Sequence, residues 1–226
     1  MDRANEAHDV AALAALAEPT RRRLYEHVVR QEEPVSREEA ASALGLALRT
    51  AAFHLDRLAE ASLLDVVYAR RSGRTGPGAG RPAKLYRRPD REITVSVPAR
   101  RYELAAELLA RAVQRSESTG EPVRAVLHRE ADELGREMGL AGATGKGDAD
   151  LTGLLELCGF EPRHEDDAVV LLNCPFRQLA RRHTETVCGM NLHLLRGVLK
   201  GIGDLTYTAV LAPAQGRCCV RLEAVD

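Results

Sequence analysis

Five cysteines are the residues of this 226-residue chain best suited to chemistry, and all lie in its last third, at positions 158, 174, 188, 218 and 219. A deprotonated cysteine sulfur binds metal ions and iron–sulfur clusters and can be oxidised reversibly. Thirteen residues separate Cys174 from Cys188 and 29 separate Cys188 from Cys218. These are not the closely spaced pairs of a zinc site, so the tertiary fold has to assemble any site they share.

The predicted ligands are Cys174, Cys188 and one residue of the adjacent pair Cys218 and Cys219. Cys174 follows a predicted strand and Cys188 lies near the start of a predicted helix, where backbone N–H groups can stabilise a thiolate. The adjacent pair falls on a predicted strand, so its two side chains are expected to face opposite sides. Cys218 is preferred because it is in phase with the apolar residues of that strand, and a redox pair of the two neighbours is the alternative.

Four further residues near the predicted ligands also have a predicted role. Cys158 ends an apolar helical run and is expected to be a buried structural thiol. His183 lies five residues before Cys188 and is a further candidate ligand, although a lone histidine is more often a surface residue. Asn173 and Asn191 flank the site and are expected to hydrogen-bond its sulfurs.

An α+β domain with a small antiparallel sheet is predicted to hold the cysteines, over residues 139–226. Its strands are expected at 168–172, 204–211 and 217–225, and its helices at 151–157, 176–182 and 186–199. The segment 139–150 is rich in Gly and Ala and is predicted to connect this domain to what precedes it.

Composition favours a cytoplasmic protein. No apolar run reaches the ~18 residues of a membrane span, and the N-terminal residues lack the apolar part of a secretory signal. In the cytoplasm thiols stay reduced and structural disulfides are rare. The net charge of −1 is unevenly spread, because residues 69–91 carry eight basic residues and one acidic residue. Such a local basic stretch suits the phosphates of DNA.

A helix-turn-helix is predicted in the first ninety residues. Pro19 suits the first turn of a helix. Ser36 and Glu39 form a capping box that starts another helix, and Gly45 suits the tight turn after it. A further helix is expected over 46–61, and two helices joined by a short turn make this motif. The residues expected on its core face are Leu48, Ala52, Leu55 and Leu58.

Side chains suited to base edges and phosphates form one stripe on the second helix of the motif. They are Arg49, Thr50, Phe53, His54 and Arg57. A solvated helix face would have the same composition, but a basic hairpin is predicted next, with strands at 63–70 and 83–88 around a Gly-rich loop. Such a wing can follow the DNA backbone or minor groove. Its phosphate-binding candidates are Arg70, Arg71, Arg74, Arg81 and Lys84.

Two amphipathic helices are expected in the middle of the chain, within residues 93–138. A helix that leaves a wing often forms a dimer contact, because two-fold DNA half-sites need a two-fold protein. Packing of the helix on its own winged helix is the alternative. We therefore divide the sequence into a DNA-binding domain at 1–92, connecting and dimerisation helices at 93–138, and a cysteine-bearing domain at 139–226.

Two stretches resemble known regulators. The run Phe53-His54-Leu55-Asp56-Arg57-Leu58, with Gly80-Arg81-Pro82-Ala83-Lys84-Leu85-Tyr86-Arg87, resembles the winged-helix part of ArsR-type bacterial regulators. The pattern Asn173-Cys174-Pro175-Phe176, His183, Val187-Cys188-Gly189-Met190-Asn191 and Cys218-Cys219-Val220 is similar to the C-terminal half of SufR-like regulators, which are repressors of iron–sulfur assembly operons.

The second resemblance implies a homodimeric repressor that binds a palindromic double-stranded DNA operator. It also implies an iron–sulfur cluster, with [4Fe–4S] favoured over [2Fe–2S]. The alternatives on the same DNA-binding frame are a sensor of a metal ion, of thiol oxidation or of a small organic ligand. An enzyme is not expected, because Cys188 and His183 lack the third group and the oxyanion-binding pattern of a nucleophilic site.

Overall fold

The computed structural model describes residues 3–69, 82–143 and 151–225, with side chains described from residue 8 onward. The chain divides into two compact units, residues 1–95 and 96–226. Each unit combines helices with a small antiparallel sheet, which agrees with the expected mixture of helix and sheet.

The first unit places three short strands beside four helices. The helices are α1 (Arg3–Ala15), α2 (Pro19–Val29), α3 (Arg37–Leu44) and α4 (Leu48–Glu60), and the strands are β1 (Val35–Ser36), β2 (Asp65–Ala69) and β3 (Ala83–Arg87). β3 lies in the middle of the sheet and pairs antiparallel with β1 and β2. The largest side chains of its core are Leu24, Leu55, Leu58 and Tyr86.

Local sequence signals account for the helix boundaries of this unit. α2 begins at Pro19, and the Glu18 carboxylate accepts hydrogen bonds from two of its first backbone N–H groups. The capping box of Ser36 and Glu39 is confirmed, with each side chain bonded to the backbone N–H of the other residue. Gly45 ends α3 in the left-handed region at φ 65°, which lets α4 start three residues later.

The second unit contains five helices and four strands among its described residues. The helices are α5 (Tyr102–Thr119), α6 (Val123–Ala143), α7 (Leu151–Leu157), α8 (Arg177–Arg182) and α9 (Thr184–Ile202). The strands are β4 (Pro162–Glu165), β5 (Ala168–Leu171), β6 (Tyr207–Leu211) and β7 (Val220–Ala224), paired antiparallel in the order β4-β5-β7-β6.

α9 is the central element of this unit, because 12 of its 19 residues are buried. α6 packs along it, α5 packs on α6, and the sheet closes the same hydrophobic core. The helices expected at 93–138 therefore share one core with the cysteine-bearing part of the chain.

Several strand predictions differ from the structure, and two of the differences lie beside the cysteines. No strand was expected between residues 139 and 167, but Pro162 starts β4, which forms a hairpin with β5. The strand expected from residue 217 begins only at Val220, so Cys218 and Cys219 precede it. The expected alternation of these two cysteines across a strand is therefore wrong.

Glycines bring the backbones of α6 and α9 into close contact. A Cβ atom on Gly139 would lie 2.8 Å from Cα of Gly201, and one on Gly197 would lie 2.8 Å from the backbone nitrogen of Arg136. Backbone atoms cannot move aside as the end of a side chain can. The two helices can pack at this distance only because these positions lack a side chain.

The variant Gly197→Ala is expected to lower the free energy of unfolding by about 1–3 kcal/mol or more. Alanine favours a helix by about 1 kcal/mol over glycine, but the added methyl group overlaps the α6 backbone and pushes the helices apart. Gly142→Ala is the matched control, since its Cβ would meet only the flexible Leu154 side chain at 3.1 Å. Urea unfolding followed by circular dichroism measures both; equal stability of the two variants would contradict the packing argument.

No helix within the described part of the chain is both long enough and apolar enough to cross a membrane.

Candidate functional site

The exposed face of α4 carries four of the five helix residues predicted to contact DNA, namely Arg49, Thr50, Phe53 and Arg57. Phe53 is 55% exposed although it is a large apolar side chain. The Arg57 guanidinium lies 5.7 Å from the centre of the Phe53 ring and also donates to the Glu60 carboxylate at 3.0 Å. An aromatic ring and two guanidinium groups are thus presented together on one helix face.

His54 departs from the predicted stripe. Its side chain is only 16% exposed, and Nδ1 lies 3.6 Å from the carboxylate of Glu18, which caps α2. The expectation that His54 is an exposed member of the stripe is therefore wrong. One residue beyond Phe53 the helix has turned about 100°, which points the imidazole toward α2 rather than toward solvent.

Asp56 ties α4 to the hairpin that follows it. Its Oδ1 accepts hydrogen bonds from Lys84 Nζ at 2.5 Å and from the Tyr86 hydroxyl at 2.6 Å. Burial, together with the bond to Asp56, raises the pKa of Tyr86, so this hydroxyl remains a donor. Lys84 was predicted to contact phosphate, and in this structure its charge is paired with Asp56. The other wing candidates, Arg70, Arg71, Arg74 and Arg81, lie outside the described residues.

The structure brings four of the five cysteines together in the second unit, and we call Cys174, Cys188, Cys218 and Cys219 the cysteine cluster. Cys174 and Cys218 are hydrogen-bonded thiols. Cys188 and Cys219 form a disulfide with a Cα–Cα distance of 6.3 Å. Peptide neighbours Cys218 and Cys219 link the two pairs, so both adjacent cysteines belong to the cluster rather than one of them.

Three segments deliver these side chains. Cys174 lies just after β5, Cys188 lies in the second turn of α9, and the adjacent pair precedes β7. The Cys218 backbone N–H donates to Leu171 O at 2.8 Å, which holds the segment before β7 against the end of β5. The disulfide also departs from the expectation that thiols of this chain stay unpaired.

Asn191 supports the cluster as predicted. It lies one turn after Cys188 on α9, is 1% exposed, and its Nδ2 donates to Cys218 Sγ at 3.2 Å. Its Oδ1 is buried without a hydrogen-bond partner. Among the hydrogen bonds of the described residues, none joins Asn173 to a sulfur atom. Its Nδ2 instead donates to the carbonyl oxygens of Ala99 and Gly159.

The two unpaired thiols of the cluster differ in acidity. The hydrogen bond from Cys218, with further help from the backbone N–H of Phe176 and the positive charge of Arg100, lowers the pKa of Cys174 to about 7. The same hydrogen bond raises the pKa of Cys218, and burial raises it further. The pair therefore releases its first proton from Cys174, and Cys218 remains the donor.

Cys158 and His183 lie in other surroundings. Cys158 is buried in the hydrophobic core, and burial raises its pKa to about 11, as expected for a structural thiol. His183 joins α8 to α9 and its side chain is exposed, whereas three residues of the cysteine cluster are buried and Cys219 is partly buried. Over the described ranges, no group of three or more His, Cys, Asp or Glu side chains is arranged as a metal-ion site.

In the protein with the Cys188–Cys219 disulfide intact, alkylation of Cys174 by iodoacetamide is expected to follow a pH midpoint of about 7, and that of Cys158 a midpoint of about 11. The thiolate is the reacting form, so each profile follows the titration of its own thiol. Folding lowers the Cys174 pKa from 9.0, so its ionisation stabilises the fold above pH 9 and this contribution is lost as the pH falls through about 7. Mass spectrometry of the two peptides measures the midpoints; a shared midpoint would contradict the assignment.

Comparison with known proteins assigns the first unit. Residues 16–67 match a family model described as a helix-turn-helix domain, a span that covers α2, α3 and α4. No curated protein and no solved structure matches the chain. The match agrees with the winged-helix part of the resemblance drawn from the sequence, and α4 is followed by the β2–β3 hairpin. The first unit therefore contains a helix-turn-helix domain, which supports a DNA-binding regulator.

Proposed function

We propose that this regulator is a repressor that binds an iron–sulfur cluster through Cys174, Cys188, Cys218 and Cys219 and controls iron–sulfur assembly genes. The observation that carries the proposal is the convergence of four cysteines from three separate segments in one cluster, in which Cys174, Cys188 and Cys218 are buried and Cys219 is partly buried. Thiolates are the usual protein ligands of such clusters, and both [4Fe–4S] and [2Fe–2S] take four ligands. The resemblance to SufR-like regulators favours [4Fe–4S] and supplies the gene class.

The surroundings of the sulfurs suit this ligand. Asn191 Nδ2 already donates to Cys218 Sγ, and backbone N–H groups of Phe176 and Val220 donate to Cys174 and Cys218. Hydrogen bonds to sulfur are among the factors that set the reduction potential of a cluster. Bound here, the cluster would supply an oxidation-sensitive group. Four cysteines meet the ligand count without His183.

Ligation requires free thiolates, so the disulfide and the cluster exclude each other. Reduction of the Cys188–Cys219 bond by a cellular dithiol takes two electrons and two protons and yields two thiols, while the dithiol becomes a disulfide. Loss of protons from the thiols then frees the sulfurs for iron. The oxidised chain would thus be the form that has lost its cluster.

Operator binding follows from the first unit. Two copies of α4 on a palindromic duplex need a homodimer, which is part of the proposal. The state of the cysteine cluster would change DNA affinity by a coupling free energy on the order of 1–3 kcal/mol. In the proposed direction the cluster-loaded dimer represses, and its loss releases the operator.

A thiol-oxidation sensor without a cluster is the second candidate, and the Cys188–Cys219 disulfide favours it. In that case formation of the disulfide would change the DNA affinity without any cluster being bound. Adding iron and sulfide would change nothing.

An anaerobic ultraviolet–visible spectrum with iron and acid-labile sulfide counts separates the two. A broad absorption with equal amounts of iron and sulfide, lost in air together with operator binding, supports the cluster sensor. A colourless protein that resists reconstitution, but whose DNA affinity changes on treatment with a dithiol, assigns the function to the disulfide.

A further inference from the structure

We propose that Arg100 and Asn173 form a latch that couples the cysteine cluster to the chain segment that enters the second unit, residues 96–101. We call this the connecting segment. The inference rests on the proposed sensor function and adds the contact through which the state of the cysteines reaches the rest of the chain.

Asn173 provides the buried half of the latch. Its side chain is 3% exposed and precedes Cys174 directly. Nδ2 donates to Ala99 O at 3.1 Å and to Gly159 O at 2.7 Å. One amide group therefore joins the connecting segment to the turn after α7, beside the cysteine.

Arg100 provides the other half. Its Nη1 donates to Asn173 Oδ1 at 2.6 Å and lies 3.4 Å from Cys174 O, while the Arg101 backbone N–H donates to Pro175 O at 3.1 Å. Three consecutive residues of the connecting segment are thus bonded to three consecutive residues around Cys174. The Arg101 side chain adds a bond to Leu157 O at 2.7 Å.

Because of these bonds, the position of the connecting segment depends on the position of Cys174. A change in what the Cys174 sulfur binds moves the loop that carries it, and the bonds to residues 99–101 depend on that loop. Release of the connecting segment would add about six residues to the tether between the units, roughly 20 Å at full extension. A longer tether lowers the effective concentration at which a second DNA-binding unit meets its half-site.

The test compares DNA affinity of the cluster-reconstituted and the reduced, cluster-free full chain, on a duplex selected from a random-sequence pool. For the natural sequence a ratio of about 5–150 is expected. Arg100→Met and Asn173→Ala should bring the ratio to within about twofold of one while still binding the cluster. Hydrogen exchange in a peptide covering residues 96–104 should become faster in both variants.

Arg177→Met is the matched control. Arg177 also lowers the pKa of Cys174 through its charge, so this variant removes a positive charge near the same sulfur while leaving Arg100 in place. It should keep the affinity ratio and the slow exchange of the natural sequence. Arg100→Lys should restore part of the ratio, because the contacts of Arg100 to the loop converge on one nitrogen, which an ammonium group can replace.

Each possible result of this test either supports or overturns the latch. Unchanged exchange in the Arg100→Met and Asn173→Ala proteins, or an unchanged ratio, overturns the latch and leaves the sensor function standing. An equal loss of coupling in Arg177→Met also overturns it, since charge alone would then be responsible. A ratio of one in the natural sequence overturns the latch together with the sensor function, and the absorbance of that protein shows whether cluster binding itself has failed.

Discussion

Cys174→Ser is expected to lose cluster binding while the helix-turn-helix unit stays folded. A serine hydroxyl is a poor replacement for a thiolate, and the substitution removes the most acidic unpaired thiol of the cysteine cluster. Changing outer partners of a metal ligand costs about 10- to 100-fold in affinity, so loss of the ligand itself should cost more. Iron and sulfide counts after anaerobic reconstitution, with the visible spectrum, measure the effect.

The fold of the variant is expected to persist for a structural reason. Cys174 lies in the second unit, whereas the helix-turn-helix belongs to residues 1–95 with a core of its own. Circular dichroism and binding of non-specific duplex DNA should therefore match the natural sequence. Operator affinity should equal that of the cluster-free protein.

Cys158→Ala is the matched control, because Cys158 is also a buried unpaired thiol of the second unit but lies outside the cysteine cluster. It should bind the cluster normally at a modest cost in stability. If Cys158→Ala loses iron and Cys174→Ser keeps it, the ligand assignment is wrong. Retention of full iron and sulfide by both would move the function to the thiol-oxidation candidate.

The elements of the first unit could be predicted because their signals are local. A capping box, a proline at a first turn and a glycine at a left-handed position each act over three or four residues. The sequence was less able to predict which side chains of α4 face the core. Leu48 was expected to be buried but is 47% exposed, and Ala51 is buried in its place. Near its N-terminus the face of α4 is decided by neighbouring helices, which periodicity alone does not encode.

In the second unit the sequence predicted the grouping of Cys174 and Cys188 with one adjacent cysteine, but it did not predict all of the strands. β4 has the sequence Pro-Arg-His-Glu, which lacks the apolar alternation of a half-buried strand, and only pairing with β5 defines it. The adjacent cysteines were treated as strand residues, so only one was expected in the cluster. In the structure they precede β7, where the backbone turns both toward the other cysteines. The Arg100–Asn173 contact joins residues 73 apart in sequence, and no local pattern predicts such a pair.

Arg49→Ala is expected to weaken operator binding by about 5- to 150-fold, the effect of about 1–3 kcal/mol for loss of a guanidinium that contacts a base. Arg49 is exposed in the first turn of α4, and the N-terminal residues of a recognition helix are those that reach base edges. Fluorescence anisotropy with a duplex selected from a random pool, at several salt concentrations, measures the change.

Arg57→Ala should have a smaller effect, because Arg57 is paired with Glu60 and lies over Phe53 in the free protein. Arg163→Ala in β4 is the control, since it removes the same charge from an exposed position of the second unit. The salt dependence separates the roles of the two α4 arginines. A phosphate contact lowers the slope of log affinity against log salt by about 1 and acts on all sequences, whereas a base contact changes preference at one position. An Arg49→Ala protein that binds the selected duplex as tightly as Arg163→Ala would show that α4 does not carry the recognition assigned to it.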